Sequence, residues 1–482
     1  MDDPGLAGLP VLVAGTGVSG RAAQAALLAR GARVRTFDDA DDDADTRDVA
    51  ALDAARLVVA SPGLPPHHPL LAAAVERGIP VWSEIELAWR LRAERGDRGP
   101  APWLAVTGTN GKTTTVGMLA AILTAAGEVA PAVGNVGPPA VEAAADPGND
   151  VLAVELSSFQ LHFTHGMAAD AAAVLNIAPD HLDWHGDLDA YVAAKARIFR
   201  GVRLACVYAA ADPRLEALVR DVDVAEGARA VGVTLGVPGP GQLGMVEDAL
   251  VDRAFHAAVD DPFRTRKADA LATTADLAHL AGPGGLAPHV LTNALVASAL
   301  ARAHGVPTSA VASGLRSFRP GAHRTEHVRT IDGVHFVDDS KATNAHAAAA
   351  ALSGFAPGTV VWIAGGLAKG ARFDGLVREH ADRLRGVVVI GVDPEPWLDA
   401  LARHAPGIPV VTIDPADTGV MTRAVTQARR LAQAGDTVLL APAGASMDQF
   451  RSYADRGESF ARAVAGLGDD PGGVGADIPT HG

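Results

Sequence analysis

Short apolar runs recur along the chain, each ending in small or polar residues and followed by a stretch with helical spacing. PVLVAG (10–15) predicts a buried parallel strand, and the alanine-rich RAAQAALLARG that follows predicts a helix packed on it. VRTF (34–37), LVVASPG (57–63) and IPVWS (79–83) continue the same rhythm. After RGDRGPAP (95–102), a linker by composition, a new unit opens with WLAVTGTNGKTT (103–114). VLAVELSS (151–158) and AAVLNIAPDH (172–181) predict further buried strands with polar ends. The Gly/Pro-rich residues 235–248 predict a loop insertion, and SFRPGAHR (317–324) a second hinge. VHFVDDS (334–340), TVVWIAGG (359–366), GVVVIGV (386–392) and DTVLLAPAG (436–444) predict a third set of strands. The expected fold is therefore α/β in three domains, 1–97, 98–319 and 320–466. The tail 467–482 has too little apolar surface to pack and is expected to be disordered.

Charge and composition narrow the function. With 41 Lys+Arg against 56 Asp+Glu the net charge is −15, which argues against a general nucleic-acid or anionic-membrane binder. The single cysteine, Cys206, excludes an internal disulfide and a multi-cysteine metal site. No leader pattern opens the chain and no apolar run approaches the ~18 residues that span a bilayer, so a cytoplasmic enzyme without membrane insertion is expected. Only five of the 41 basic residues are lysine: Lys112, Lys195, Lys267, Lys341 and Lys369. Where surface positions take Arg, a retained Lys points to a compact charge or a reactive amine.

Two glycine loops follow predicted strands. Gly15, Gly17 and Gly20 open a helix, and Asp38 ends the next strand, as in a dinucleotide fingerprint. The pattern specifies a diphosphate with a ribose and does not distinguish a nicotinamide cofactor from a UDP-sugar; a tight turn without ligand has the same signature. The second loop, Gly108, Thr109, Asn110, Gly111, Lys112, Thr113 and Thr114, has a P-loop's lysine and hydroxyls, but Val106 stands where the first glycine of the usual spacing would be, so it is a shorter variant. Glu155 ends a buried strand, where a carboxylate facing a phosphate loop suits Mg²⁺; a helix cap is the alternative. His181 and His185 lie four apart, but neighbouring carboxylates and the lack of cysteines disfavour zinc. Lys195 on YVAAKARIF is either a snorkelling surface lysine or a partly buried amine able to lose its proton.

The loop GTNGKTT resembles the ATP loop of the Mur ligase family. The resemblance extends over residues 8–465 through GNVG (134–137), ELSSFQL (155–161), LNIAPDHLDWHG (175–186), TNALVA (292–297), HRTEHV (323–328), DDSKATN (338–344), GGLAKG (365–370) and PAGASMDQF (442–450). These strings are most similar to those of the D-glutamate-adding members. The resemblance implies an ATP-dependent ligase, with a Rossmann-like N-terminal domain, a central P-loop-type ATPase domain and a C-terminal Rossmann-like domain, that joins D-glutamate to UDP-N-acetylmuramoyl-L-alanine in peptidoglycan precursor synthesis; a monomer is the expected state. It implies ATP contacts at 108–114, Asn293, Arg324 and Asp339, and two Mg²⁺ ions held by Thr113, Glu155, His181 and a carbamylated Lys195, with Lys112 completing the catalytic set. It places the UDP-substrate at Gly17, Val18, Ser19, Asp38, Asn135, Ser157 and Gln160, and D-glutamate at Lys341, Thr343, Lys369, Ser446 and Tyr453. Two positions depart from the family: Tyr453 stands where Phe is usual, and Leu367 where an acidic residue often precedes the lysine.

The implied chemistry transfers the γ-phosphoryl group to the substrate carboxylate, giving an acyl phosphate that the amine of D-glutamate attacks. Other Mur ligases and folylpolyglutamate synthetase share the ATP loop and remain alternatives. The absence of DNPR, typical of the diaminopimelate- or lysine-adding members, favours D-glutamate. An NAD-dependent dehydrogenase explains the first glycine loop but not GTNGKTT, and a nucleotide switch lacks the N-K-x-D tetrapeptide of GTPases.

Overall fold

In the computed structural model the chain is described at residues 5–258, 260–282, 285–416 and 419–467. The tail expected to be disordered lies outside them from residue 468. The described residues fall into two compact units: one runs to His279 and resumes over His289–Arg319, and the other takes Leu280–Pro288 and the chain from Pro320.

The first unit holds two sheets. One is four-stranded and parallel, in the order Arg33–Phe37, Pro10–Ala14, Leu57–Ala60, Val81–Ser83. The chain reverses direction of winding at Pro10–Ala14, so the loop after this strand stands at a switch point, where such sheets bind ligands. The other sheet has nine strands, in the order Asp269–Thr273, Ala249–Asp252, Gln242–Val246, Arg229–Val233, Ala205–Ala209, Ala171–Val174, Trp103–Thr107, Leu152–Glu155, Ala132–Gly134. Its central strands are parallel and fully buried, which explains their unbroken apolar runs. Trp103–Thr107 is its switch point and carries the second glycine loop.

The expected loop 235–248 is partly a strand. Leu243 and Met245 are buried, and Gln242–Val246 pairs antiparallel with Ala249–Asp252. The Gly/Pro content describes the turn before it, while the alternating apolar residues build the strand.

The two sheets share one core, in which Trp89 meets Trp103 edge-on at 5.2 Å. Buried polar bonds cross the same junction: Ser83 Oγ lies 2.8 Å from Thr164 Oγ1, and Glu86 Oε2 accepts from the amides of His165 and Gly166, both at 2.8 Å. Glu84 Oε1 accepts from the Val141 amide at 2.6 Å. Residues 95–102, a linker by composition, thus join halves that are packed together.

The second unit is one six-stranded sheet, in the order Glu326–Ile331, Val334–Asp338, Thr437–Ala443, Val360–Gly365, Leu384–Ile390, Val410–Thr412. Only the first pair is antiparallel. Apolar clusters lie on both faces, centred on Trp362 and Trp397 on one and Phe336 and Phe460 on the other. Among the described residues no helix is long and apolar enough to cross a membrane.

Glu84 gives this packing a pH dependence. Burial raises its carboxyl from 4.5 to about 7, and among the described residues Oε2 has no hydrogen-bond partner. A raised folded-state pKa means that the neutral form stabilises the fold at acid pH and that this contribution is lost as pH rises through about 7. Glu84→Gln retains the acceptor for Val141 without the charge. Thermal melts are expected to show Glu84→Gln more stable than the parent at pH 8, by a few °C, with the gap closing towards pH 5.

Candidate active site

The centre of the first unit is the loop between Trp103–Thr107 and the helix Lys112–Ala125. The buried strand and the apolar helix face fix both ends of the loop, and the helix N-terminus brings unsatisfied amides towards it, a ready anion site. Gly111 has φ +85°, and a Cβ there would stand 2.7 Å from Asn293 Oδ1. Only glycine fits that turn, and Asn293, itself buried, is held against the loop. A neighbouring segment clamps the loop: the Asn110 amide donates to Asn176 Oδ1 at 2.9 Å, and the Thr109 amide to the Asn176 carbonyl at 3.0 Å. Thr109 Oγ1 accepts from the Ala178 amide at 3.0 Å and lies 2.9 Å from the Tyr191 hydroxyl.

Two lysine amines meet at one atom. Lys112 Nζ donates to the Gly108 carbonyl at 2.9 Å and to that of Thr109 at 2.9 Å. Lys195 Nζ donates to the same Gly108 oxygen at 2.8 Å. Lys195 is 1% exposed, with its amine 4.6 Å from the centre of the Tyr191 ring, so the snorkelling alternative is overturned. Burial, then the charge of Lys112, holds its ammonium well below its ordinary value; Asp180 and Glu155 oppose the shift. The site can therefore hold anions, and it disfavours the charged form of its second amine.

Glu155 closes its strand at 2% exposure. Asn135 Nδ2 donates to Oε1 at 2.8 Å, while among the described residues Oε2 has no hydrogen-bond partner. An orphaned buried carboxylate oxygen beside a phosphate-type loop fits a divalent cation. His181 adopts a left-handed backbone (φ +54°), with its exposed ring edge-on to Phe159 at 4.7 Å. His185 takes a supporting place, its Nε2 2.9 Å from Ser158 Oγ and its pKa drawn down to about 4, chiefly by burial.

The first glycine loop borders an open cleft of ≈ 390 Å³ lined by Gly17, Val18, Ser19, Asp38 and Ser61, among others. A Cβ on Gly20 would lie 1.8 Å from the Gly15 carbonyl, so the third glycine lets helix and loop touch. Asp38 is bound by this loop: Oδ2 accepts from the Thr16 amide at 2.8 Å and the Thr16 hydroxyl at 3.0 Å. Those bonds hold its carboxyl below its ordinary value. Asn135, Ser157 and Gln160 do not line this cleft. Ser157 and Gln160 form a reciprocal capping box on the helix Ser158–His162.

In the second unit Lys341 Nζ lies 3.3 Å from the Tyr453 hydroxyl and 4.8 Å from that ring's centre. The hydroxyl where the family usually has Phe thus gives the lysine a partner. Ser446 is buried, and Lys369 has φ +49°. The Thr343 amide donates to the Lys341 carbonyl at 2.9 Å. Asp339 Oδ1 accepts from the amide of Thr325, next to Arg324, at 3.1 Å. His323 Nδ1 pairs with Asp338 at 2.7 Å. Lys267 stands apart on the surface, paired with Asp261. Asn176 and Tyr191 were not singled out from the sequence; Asn176 lies inside a quoted string, but nothing in the string shows that it faces the loop.

Residues 106–233 match the family model of the Mur ligase middle domain, and 323–444 that of the Mur ligase glutamate ligase domain. The chain is 56% identical over 478 residues to a UDP-N-acetylmuramoylalanine–D-glutamate ligase of Streptomyces avermitilis, covering 96% of this chain and 99% of that one. It is 51% identical over 483 residues to the protein of the same name from Thermobifida fusca, covering 96% and 99%. Among solved structures, MurF ligase from Thermotoga maritima in complex with ADP superposes with a TM-score of 0.55 at 17% identity, covering 97% of each chain. UDP-N-acetylmuramate–alanine ligase from the same organism gives 0.54 at 17%, covering 96% of this chain and 99% of that one.

The strain at Gly111 is testable without any ligand. Gly111→Ala combines an unfavourable left-handed φ with a clash against Asn293, and is expected to cost about 1–3 kcal/mol. Calorimetry should show a lowered unfolding midpoint; an unchanged midpoint would mean that the turn tolerates a side chain.

Proposed function

Because the chain belongs to the Mur ligase family, we infer that it is the ATP-dependent ligase that adds D-glutamate to UDP-N-acetylmuramoyl-L-alanine, forming an amide bond in peptidoglycan precursor synthesis. The observation that carries this reading is the full-length likeness to ligases of that name, joined to a loop in which two lysine amines and a helix N-terminus converge. A dehydrogenase leaves both facts unexplained, and a nucleotide switch, which could own the phosphate loop, leaves the full-length likeness unexplained.

The residues divide the work as follows. Gly108–Thr114 wrap the nucleotide phosphates with loop amides and Lys112, and Asn293, Arg324 and Asp339 take its adenine and ribose. Gly17, Val18, Ser19 and Asp38 hold the UDP group, and Asn135, Ser157 and Gln160, outside that cleft, take other parts of the UDP-substrate. Lys341, Thr343, Lys369, Ser446 and Tyr453 receive D-glutamate, whose two carboxylates suit two lysines. Thr113, Glu155, His181 and Lys195 would hold two Mg²⁺ ions; the free Glu155 Oε2 supports the fit. Bound there, the metal would neutralise charge on the phosphate oxygens. Lys195 serves as a carbamate: its neutral amine bonds to the carbon of CO₂ and releases a proton, leaving an anionic oxygen ligand. Its burial beside Lys112 supports this, because both disfavour the ammonium form.

In the reaction, Lys112 and the loop amides stabilise charge as a substrate carboxylate oxygen bonds to the γ-phosphorus of ATP and the bond to ADP breaks. The D-glutamate amine then attacks the acyl carbon, and phosphate leaves with the oxygen it had bonded. The domains are assigned as 1–97 for the UDP-substrate, 98–319 for ATP and 320–466 for the amino acid, in a cytoplasmic monomer.

Phosphate release and product mass, measured with ATP, UDP-N-acetylmuramoyl-L-alanine and a panel of amino acids, test the reading. D-Glutamate alone is expected to yield product; a different preferred acceptor would overturn the assignment. Lys112→Ala is expected to reduce turnover by roughly 100- to 1000-fold; near-normal phosphate release would refute its role. Lys195→Ala should lose activity and regain part of it with added acetate or formate. Absence of rescue in a folded variant would count against the carbamate.

A further inference from the structure

We propose that Arg456 is a positioning residue for the D-glutamate pocket, holding from one buried guanidinium the separate loops that present Lys341, Ser446 and Tyr453. The proposal rests on the D-glutamate reading above and adds to it a residue that touches none of the substrates.

Arg456 lies in the first turn of the helix Tyr453–Gly466 and is completely buried. Its Nε donates to Ser340 Oγ at 3.0 Å and its Nη2 to the Ser340 carbonyl at 2.9 Å. Its Nη1 donates to the Gly444 carbonyl at 3.1 Å. Ser340 Oγ in turn donates to the Tyr453 carbonyl at 2.7 Å. Ser340 immediately precedes Lys341, and Gly444 stands two residues before Ser446. The Gly444 loop is also tied to the loop of Lys369: Leu367 and Ala445 exchange backbone bonds of 2.8 and 3.0 Å. One planar fork therefore fixes the spacing of elements that are about 100 residues apart in the chain.

All three of these bonds end on neutral oxygens. Asp448 and Asp338 are near enough to favour the charge but accept no bond from it, so the buried cation remains an expensive way to fill a core, and an apolar side chain would serve packing better. The fork geometry, however, reaches two loops at once, which a lysine or an apolar residue cannot do. Burial draws the guanidinium down only to about 10, so it keeps its charge at neutral pH.

The test measures KM for each substrate, with the acceptor first established on the parent enzyme. A wrong acceptor thus reads out on the parent, and a wrong role for Arg456 only on the variants. Arg456→Lys keeps the charge and loses the fork; Ser340→Ala leaves the arginine and removes the link to Tyr453. Each is expected to raise KM for D-glutamate about tenfold, while KM for ATP and for the UDP-substrate stays within about twofold and kcat at saturation is largely kept. Thermal melts establish that the variants are folded, and Ser340→Ala decides the matter if Arg456→Lys does not fold. An unchanged KM for D-glutamate, or an equal rise in all three values, would overturn the proposal.

Discussion

Two lysine amines share the carbonyl oxygen of Gly108, one of them in a dry interior. Two ammonium groups so placed repel each other, and the buried one lacks the water that would otherwise stabilise it. The arrangement is relieved when anions arrive or when Lys195 gives up its proton. Under the proposed function a nucleotide's phosphates would answer the first need and a carbamate the second. Much of the surrounding structure keeps this centre in shape: Asn176 and Ala178 clamp the loop, Asn293 presses on Gly111, and Tyr191 covers the Lys195 amine.

The same economy of placement recurs in all three sheets. Each carries its polar clusters at the carboxyl ends of parallel strands, where helix N-termini and loop amides gather. The four-stranded sheet offers a cleft beside a glycine loop, and the nine-stranded sheet offers the lysine pair and Glu155. The six-stranded sheet offers Lys341, Ser446 and Tyr453. An acid that must be activated before an amine attacks it needs three such places. A free carboxylate is a poor acyl donor, and its activated form is lost if water arrives first.

What could be read from the sequence was what is local in it. The parallel strands announced themselves because burial on both faces leaves unbroken apolar runs. The loop 108–114 carries its chemistry in consecutive residues, so its lysine and hydroxyls were visible at once. The strand Gln242–Val246 was hidden by the glycines and prolines around it. Glu84, Asn176 and Arg456 were hidden for a different reason: each acts through partners 57, 66 and 116 residues away, respectively. Ser157 and Gln160 show the converse, for a string that reads as a ligand contact also closes a capping box within three residues.

If the lysine-lined loop moves a phosphoryl group onto the substrate's own carboxylate, the path of that carboxylate's oxygens reveals it. The most direct measurement labels both carboxylate oxygens of the L-alanyl group in UDP-N-acetylmuramoyl-L-alanine with oxygen-18 and follows the label through one turnover with ATP and D-glutamate. Through an acyl phosphate, the released inorganic phosphate is expected to carry one labelled oxygen and the amide product to keep the other. Unlabelled phosphate alongside normal product would contradict it.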